Sequence, residues 1–174
     1  MDRSLSALQQ EISAVTSGMT PEQISWHPAG KWCAAEVLEH LYLTYTGTTK
    51  GFQKVLAANR PVCSRSSMAH FAARLVVFGF SYLPPGRTAP PLSRPRGLSV
   101  EKVMAELDSK IIEMDEIISQ CEAALGRVRL LDHPILGPLT AGQWRKFHLI
   151  HGRHHIKQIR TLRQNANCCT RESV

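Results

Sequence analysis

Along most of the chain, apolar residues recur at spacings of three and four, the period of a helix with one buried face. Leu5, Leu8, Ile12 and Val15 form the first such stripe, and Gly18 ends it. Thr20, Pro21 and Gln23 then signal a short helical turn: a hydroxyl cap, a proline at the first helical position and a glutamine closing a capping box. The stretch from Trp26 to Trp32 is too rich in turn formers for helix. A second long helix is expected from about Cys33 to Ala58, and a shorter one within 67–82. Val100, Met104, Leu107, Ile111, Met114, Ile118, Cys121 and Leu125 alternate spacings of four and three, a heptad seam that Gly126 terminates. Residues 126–139 read as a connection. Thr140 and Gln143 form another capping box, opening a last helix from Ala141 to about Asn165. No segment keeps strand alternation. The pattern predicts an all-α four-helix bundle with one extra short helix, the proline-rich stretch crossing over between the second and third long helices. It forms a single domain over 1–165, followed by a flexible C-terminal tail at 166–174.

Composition narrows the class. At 174 residues one core is the natural unit, and 43% hydrophobic against 20% charged residues excludes disordered and fibrous chains. No apolar run reaches the roughly 18 residues of a membrane span. The N-terminus lacks a hydrophobic export segment, and five cysteines without a C-x-x-C pair suit a reduced compartment, so a cytoplasmic location is expected. The net charge of +7 raises nucleic acid as a partner. However, there is no helix-turn-helix pattern and no aromatic interleaving for base stacking. Arg145, Lys146, Arg153, Lys157, Arg160 and Arg163 therefore read as the solvated face of the last helix, and no nucleic acid is expected. Leu149 and Ile156 lie among them, an apolar hint of a homodimer.

The histidines change the picture most. Four of eight fall between positions 148 and 155. At about 100° per residue, Trp144, His151, His155 and Leu162 share nearly one angular position, with His148 and Gln158 beside them. Polar rings thus lie on the face that should be buried, and unpartnered burial is costly. The H-x-x-x-H pair His151 and His155 has the spacing of two metal ligands one turn apart, and His40 on the second long helix is the candidate for a third. Gly47, two turns further along, would leave room for a ligand. Spacing alone leaves a metal site and a hydrogen-bonded histidine core equally open. His148 reads as lining the same cavity, and His154 as a flanking or supporting group. His27 and His133 read as turn residues before prolines, and His70 has no evident partner.

Two separated stretches resemble the DinB-like superfamily. The first is Trp32-Cys33-Ala34-Ala35-Glu36-Val37-Leu38-Glu39-His40-Leu41; the second runs from His133-Pro134 through Gly137, Leu139-Thr140 and Gln143-Trp144 to His148-Leu149-Ile150-His151-Gly152-Arg153-His154-His155-Ile156-Lys157-Gln158. The likeness is greatest to a branch carrying H-P-x-x-G-x-L-T…W…H-x-x-H-H-x-x-Q. The resemblance implies a four-helix bundle whose zinc or nickel is held by His40, His151 and His155, often in a dimer. It also implies a metal-dependent hydrolase, or a transferase using a low-molecular-weight thiol, acting on a small-molecule substrate. The alternative is a non-catalytic, metal-stabilised regulatory bundle, its fourth ligand supplied by His148 or His154. Arg87, Arg94 and Arg96 would suit an acidic thiol cofactor, but their proline-rich context favours a solvated loop. Cys33 stands where the family usually has the serine that caps this helix with Glu36, so a weaker cap is expected.

Overall fold

The computed structural model describes residues 1–83 and 88–171. Four long helices form the bundle: α1 (Arg3–Thr16), α3 (Ala34–Ala58), α5 (Val100–Leu125) and α6 (Ala141–Arg171), with short α2 (Pro21–Ser25) between α1 and α3. Helix α3 packs chiefly on α5, and α1 on α6. The predicted boundary signals form. Asp2 caps α1, Thr20 and Gln23 exchange both capping-box bonds at α2, and Thr140 and Gln143 do the same at α6. The core is continuous, with Leu5, Leu8, Leu41, Phe52, Ile111, Met114, Ile118 and Ile159 all removed from solvent.

Three features differ from the expectation. Residues 129–140 are not a plain connection but an antiparallel hairpin, β1 (Arg129–His133) with β2 (Gly137–Thr140), pairing Leu131 with Leu139 and His133 with Gly137. A bulge between Arg129 and Leu131 breaks the strand period, and β2 buries Gly137, Pro138 and Leu139 in succession, so neither strand alternates. Gly51 admits this hairpin against α3, because a Cβ there would meet Leu131 Cδ2 at 2.7 Å. On α5, Val103 rather than Met104 continues the seam; Met104 is 42% exposed, at the rim of a shallow cleft with Ile12, Thr16, Leu38 and Leu107. Helix α6 continues past Asn165 to Arg171 and buries Ala166.

The connection from α3 to α5 is the expected crossover. It holds α4 (Met68–Arg74), a π-helical turn (Leu75–Gly79) and a 3-10 turn (Pro91–Ser93). Ser67 and His70 cap α4 reciprocally, giving His70 the partner its sequence context did not reveal. The last part of the crossover, 93–97, returns to the surface of α3.

A buried ion cluster ties the bundle together. Asp115 on α5, with its side chain 3% exposed, accepts from Arg145 Nε at 2.6 Å and from the backbone N–H of Asp2 at 2.6 Å. Arg145 also reaches Glu122 at 3.0 Å and Ser119 at 2.7 Å. Arg145 is therefore a core-edge residue and not part of a solvated face.

Candidate metal centre

Helix α3 begins at Cys33, where the Glu36 carboxylate accepts from the Cys33 backbone N–H at 2.8 Å. Glu36 is thus committed to the cap. Cys33 is buried, and burial pushes its thiol up, keeping it protonated. Nearly two turns on, His40 is 5% exposed and faces α6. Its Nδ1–H donates to the Ser93 carbonyl at 2.7 Å, leaving Nε2 bare and inward. The adjacent Glu39, buried at 2% exposure, accepts from the backbone N–H groups of Arg96 at 2.8 Å and Gly97 at 3.1 Å. A buried carboxylate thereby clamps the 93–97 strap that orients His40. Sequence reasoning passed over Glu39, because an acidic residue on a long helix ordinarily faces water.

Helix α6 supplies the other two rings. His151 and His155 approach at 3.1 Å between their Nε2 atoms, and His151 Nε2 lies 3.2 Å from His40 Nε2. All three ligand atoms lie within 4.8 Å of one another. His155 Nδ1–H donates to Gln158 Oε1 at 2.7 Å, and the Gln158 amide reaches on to His154 Nε2 at 3.1 Å. His154 is accordingly a supporting group twice removed. The position of the glutamine in H-x-x-H-H-x-x-Q thus has a physical reason: it fixes the tautomer of His155. Phe147 stacks on His151 at 5.2 Å, and Trp32 lies 5.3 Å from His40.

The electrostatics keep these rings neutral. Burial drives His151 well below its ordinary value, and the neighbouring imidazoles add to the effect. Burial and then His40 push His155 down to about 3. Burial lowers His40 as well, against the opposing pull of its bond to Ser93. Two bare nitrogens therefore face a third, and a single proton on His151 can serve only one of them. A cation serves all three. The edges of 3.1 and 3.2 Å are close to the separation, roughly 3.3–3.4 Å, of two nitrogens on tetrahedral zinc. The residues present fit a divalent ion.

Neither His148 nor His154 joins this group, and no cysteine or carboxylate among the described residues does. A site closed by four protein ligands is thus not formed there. His148 is fully buried between Trp144, Tyr45 and Phe147, pushed down to about 3 by burial and then by His133. The His133 and His27 rings serve turns, as expected. His133 Nδ1 accepts from the N–H groups of Ile135 and Leu136, each at 3.1 Å, and His27 Nδ1 meets the Pro28 carbonyl.

Other expectations are corrected. Gly47 is exposed, and a Cβ added there would meet no atom within 4 Å, so it lines no site. Arg94 Nε donates to the Ala89 carbonyl, Arg96 is exposed, and Arg87 lies outside the described residues. Lys146, Arg153, Lys157 and Arg160 on the basic stripe of α6 are exposed, as expected, and some of the stripe also bonds within the chain. Lys146 reaches the Phe78 carbonyl, Arg153 pairs with Glu11, and Arg163 reaches the Val15 carbonyl. Ile156 is 2% exposed and Leu149 is partly buried against the core, so Ile156 is not the exposed apolar residue its place among the charges suggested. The physical reason is Gly152: a Cβ there would stand 2.6 Å from Leu8, and its absence lets α1 ride close over this side of α6.

No helix among the described residues is long and apolar enough to cross a membrane. A sequence profile described as the DinB superfamily matches residues 4–159. Comparison with curated proteins and with solved structures returned no match.

Proposed function

The chain belongs to the DinB superfamily, and from that membership and the three converging imidazoles we propose that it is a metal-dependent enzyme. In this reading His40, His151 and His155 hold zinc or nickel, with one coordination position left for a small-molecule substrate or a low-molecular-weight thiol. The observation that carries it is the orientation of the rings. The Ser93 carbonyl and Gln158 Oε1 each accept a hydrogen bond from an Nδ1–H, which turns the Nε2 lone pairs of His40 and His155 toward His151. Bound there, such an ion supplies an activated water or a thiolate near neutral pH.

The chain's own residues do the rest. The rings are already neutral, so few protons compete for the nitrogens. Trp32 and Phe147 screen the ligands on two sides. Glu36 and Glu39 are spent on backbone N–H groups, so neither is free as a general base. An ion held by the three rings would supply the nucleophile activation that these two carboxylates do not.

The test is metal content per chain in untagged protein, beside a His155→Ala variant. Near-stoichiometric zinc or nickel, lost in the variant, is expected; a panel of thiols and esters then separates transferase from hydrolase. An untagged protein that takes up neither metal overturns the reading.

A further inference from the structure

We propose that a buried water site lies behind the three imidazoles, between His151 Nδ1, the His148 ring and the Tyr45 hydroxyl. It makes His148 a positioning residue for the third ligand. The inference rests on the metal reading above and deepens it.

The starting point is an asymmetry. Two rings of the triad have an Nδ1 partner, Ser93 for His40 and Gln158 for His155. The Nδ1 of His151 has none. If His151 binds through Nε2, its Nδ1 carries a proton that needs an acceptor. More buried atoms are in the same condition: both nitrogens of His148, which neighbours His151, and the hydroxyl of Tyr45, which neighbours His148. Both residues are 0% exposed, and their rings meet edge to face at 5.4 Å between centroids. His148 precedes His151 by three residues on α6, so both project from one face.

The donor and acceptor inventory fits water. His151 Nδ1–H is a donor, neutral His148 offers one donor and one acceptor, and the tyrosine hydroxyl offers both. None of these groups bonds another directly, and leaving each unpaired would forfeit its full hydration. A buried water requires two to four polar partners, and three side chains supply them here. It would accept from His151 and donate to His148, and Tyr45 would hold it from the α3 side. The ring of His151 is then fixed as firmly as its two neighbours.

The test compares the wild type with His148→Phe, His148→Gln and Tyr45→Phe by zinc titration against a chromogenic chelator. The expected loss in affinity is about 10- to 100-fold for His148→Phe, largely restored in His148→Gln, with a smaller loss for Tyr45→Phe. Cobalt(II) gives a second readout. Three paramagnetically shifted, exchangeable imidazole N–H signals are expected in the wild type, and only that of His151 should move in the phenylalanine variants. Folded variants that bind zinc as the wild type does, with all three signals in place, overturn the proposal and leave the metal reading standing. If His148→Phe does not fold, Tyr45→Phe and His148→Gln decide. A wild type that binds no metal defeats the metal reading instead. In that case a long-lived water detected by nuclear Overhauser effects to Tyr45 and His148 still supports the hydration site, and its absence sinks it.

Discussion

The bundle buries two polar clusters, and they are built on opposite principles. Around Asp115, every charge meets its complement: Arg145 answers Asp115 and Glu122, and the N–H of Asp2 takes the remaining carboxylate oxygen. Around His151, like meets like, with three neutral nitrogens crowding one point and the Nδ1 of the central ring unpartnered. The first cluster is complete within the chain and holds helices together. The second leaves converging lone pairs without donors, and in the function proposed here a cation completes it. A satisfied polar core speaks of structure, whereas an unsatisfied one with converging lone pairs speaks of a ligand.

The comparison breaks most visibly through stability. Arg145→Met strips the buried Asp115 of its counter-charge and should cost about 3–5 kcal/mol in urea unfolding, with metal uptake unchanged. His155→Ala should do the reverse, abolishing metal uptake while leaving the metal-free chain nearly as stable. Equal stability losses in both would dissolve the distinction.

Acid sharpens it next. His148 is pushed down to about 3 in the folded chain, against an ordinary value near 6.5 when unfolded. Between those values the unfolded chain binds the extra proton, so stability falls as pH drops below about 6.5 and levels off only near 3. At pH 5 the loss from His148 alone is about 2 kcal/mol, from 1.5 pH units at about 1.4 kcal/mol each. His155, pushed down to about 3, and His133, pushed down to about 4, add to the loss in the same direction. Denaturant midpoints from pH 7 to 4 measure the slope; in His148→Phe it should be shallower. A flat profile would mean that the buried ring keeps its proton acceptor wet. Zinc at about 100 times its dissociation constant should raise stability at pH 7 by about 2.7 kcal/mol, and His155→Ala should remove that gain.

Much of this was legible in the sequence because helical period and capping chemistry are local. The stripe of α1, both threonine capping boxes and the shared face of His151 and His155 follow from spacing. What stayed hidden depends on contacts distant in sequence. The hairpin's bulge erased its period, and Gly152 buried Ile156 by admitting α1 on the side that looked charged. Arg145 counted as a surface cation until Asp115, thirty residues earlier, came into contact with it. Glu39 looked like any exposed helix acid, since its partners are backbone N–H groups 57 and 58 residues away.

Glu39 yields the finest prediction. The Ser93 carbonyl orients His40, and the strap that carries it is clamped by the two bonds that Glu39 receives from Arg96 and Gly97. Glu39→Gln preserves the shape but turns one acceptor into an N–H₂ group facing a backbone N–H. The strap should loosen, the Ser93 carbonyl should leave His40 Nδ1, and zinc affinity should fall about tenfold, or about 1.4 kcal/mol. Limited proteolysis should cut 88–98 faster in the variant, and zinc should slow the cutting in the wild type because the ion and the strap stabilise one ring orientation. Faster cutting with unchanged affinity would separate the strap from the site, making the Ser93 contact a consequence of packing and leaving His40 to be oriented by Trp32 alone.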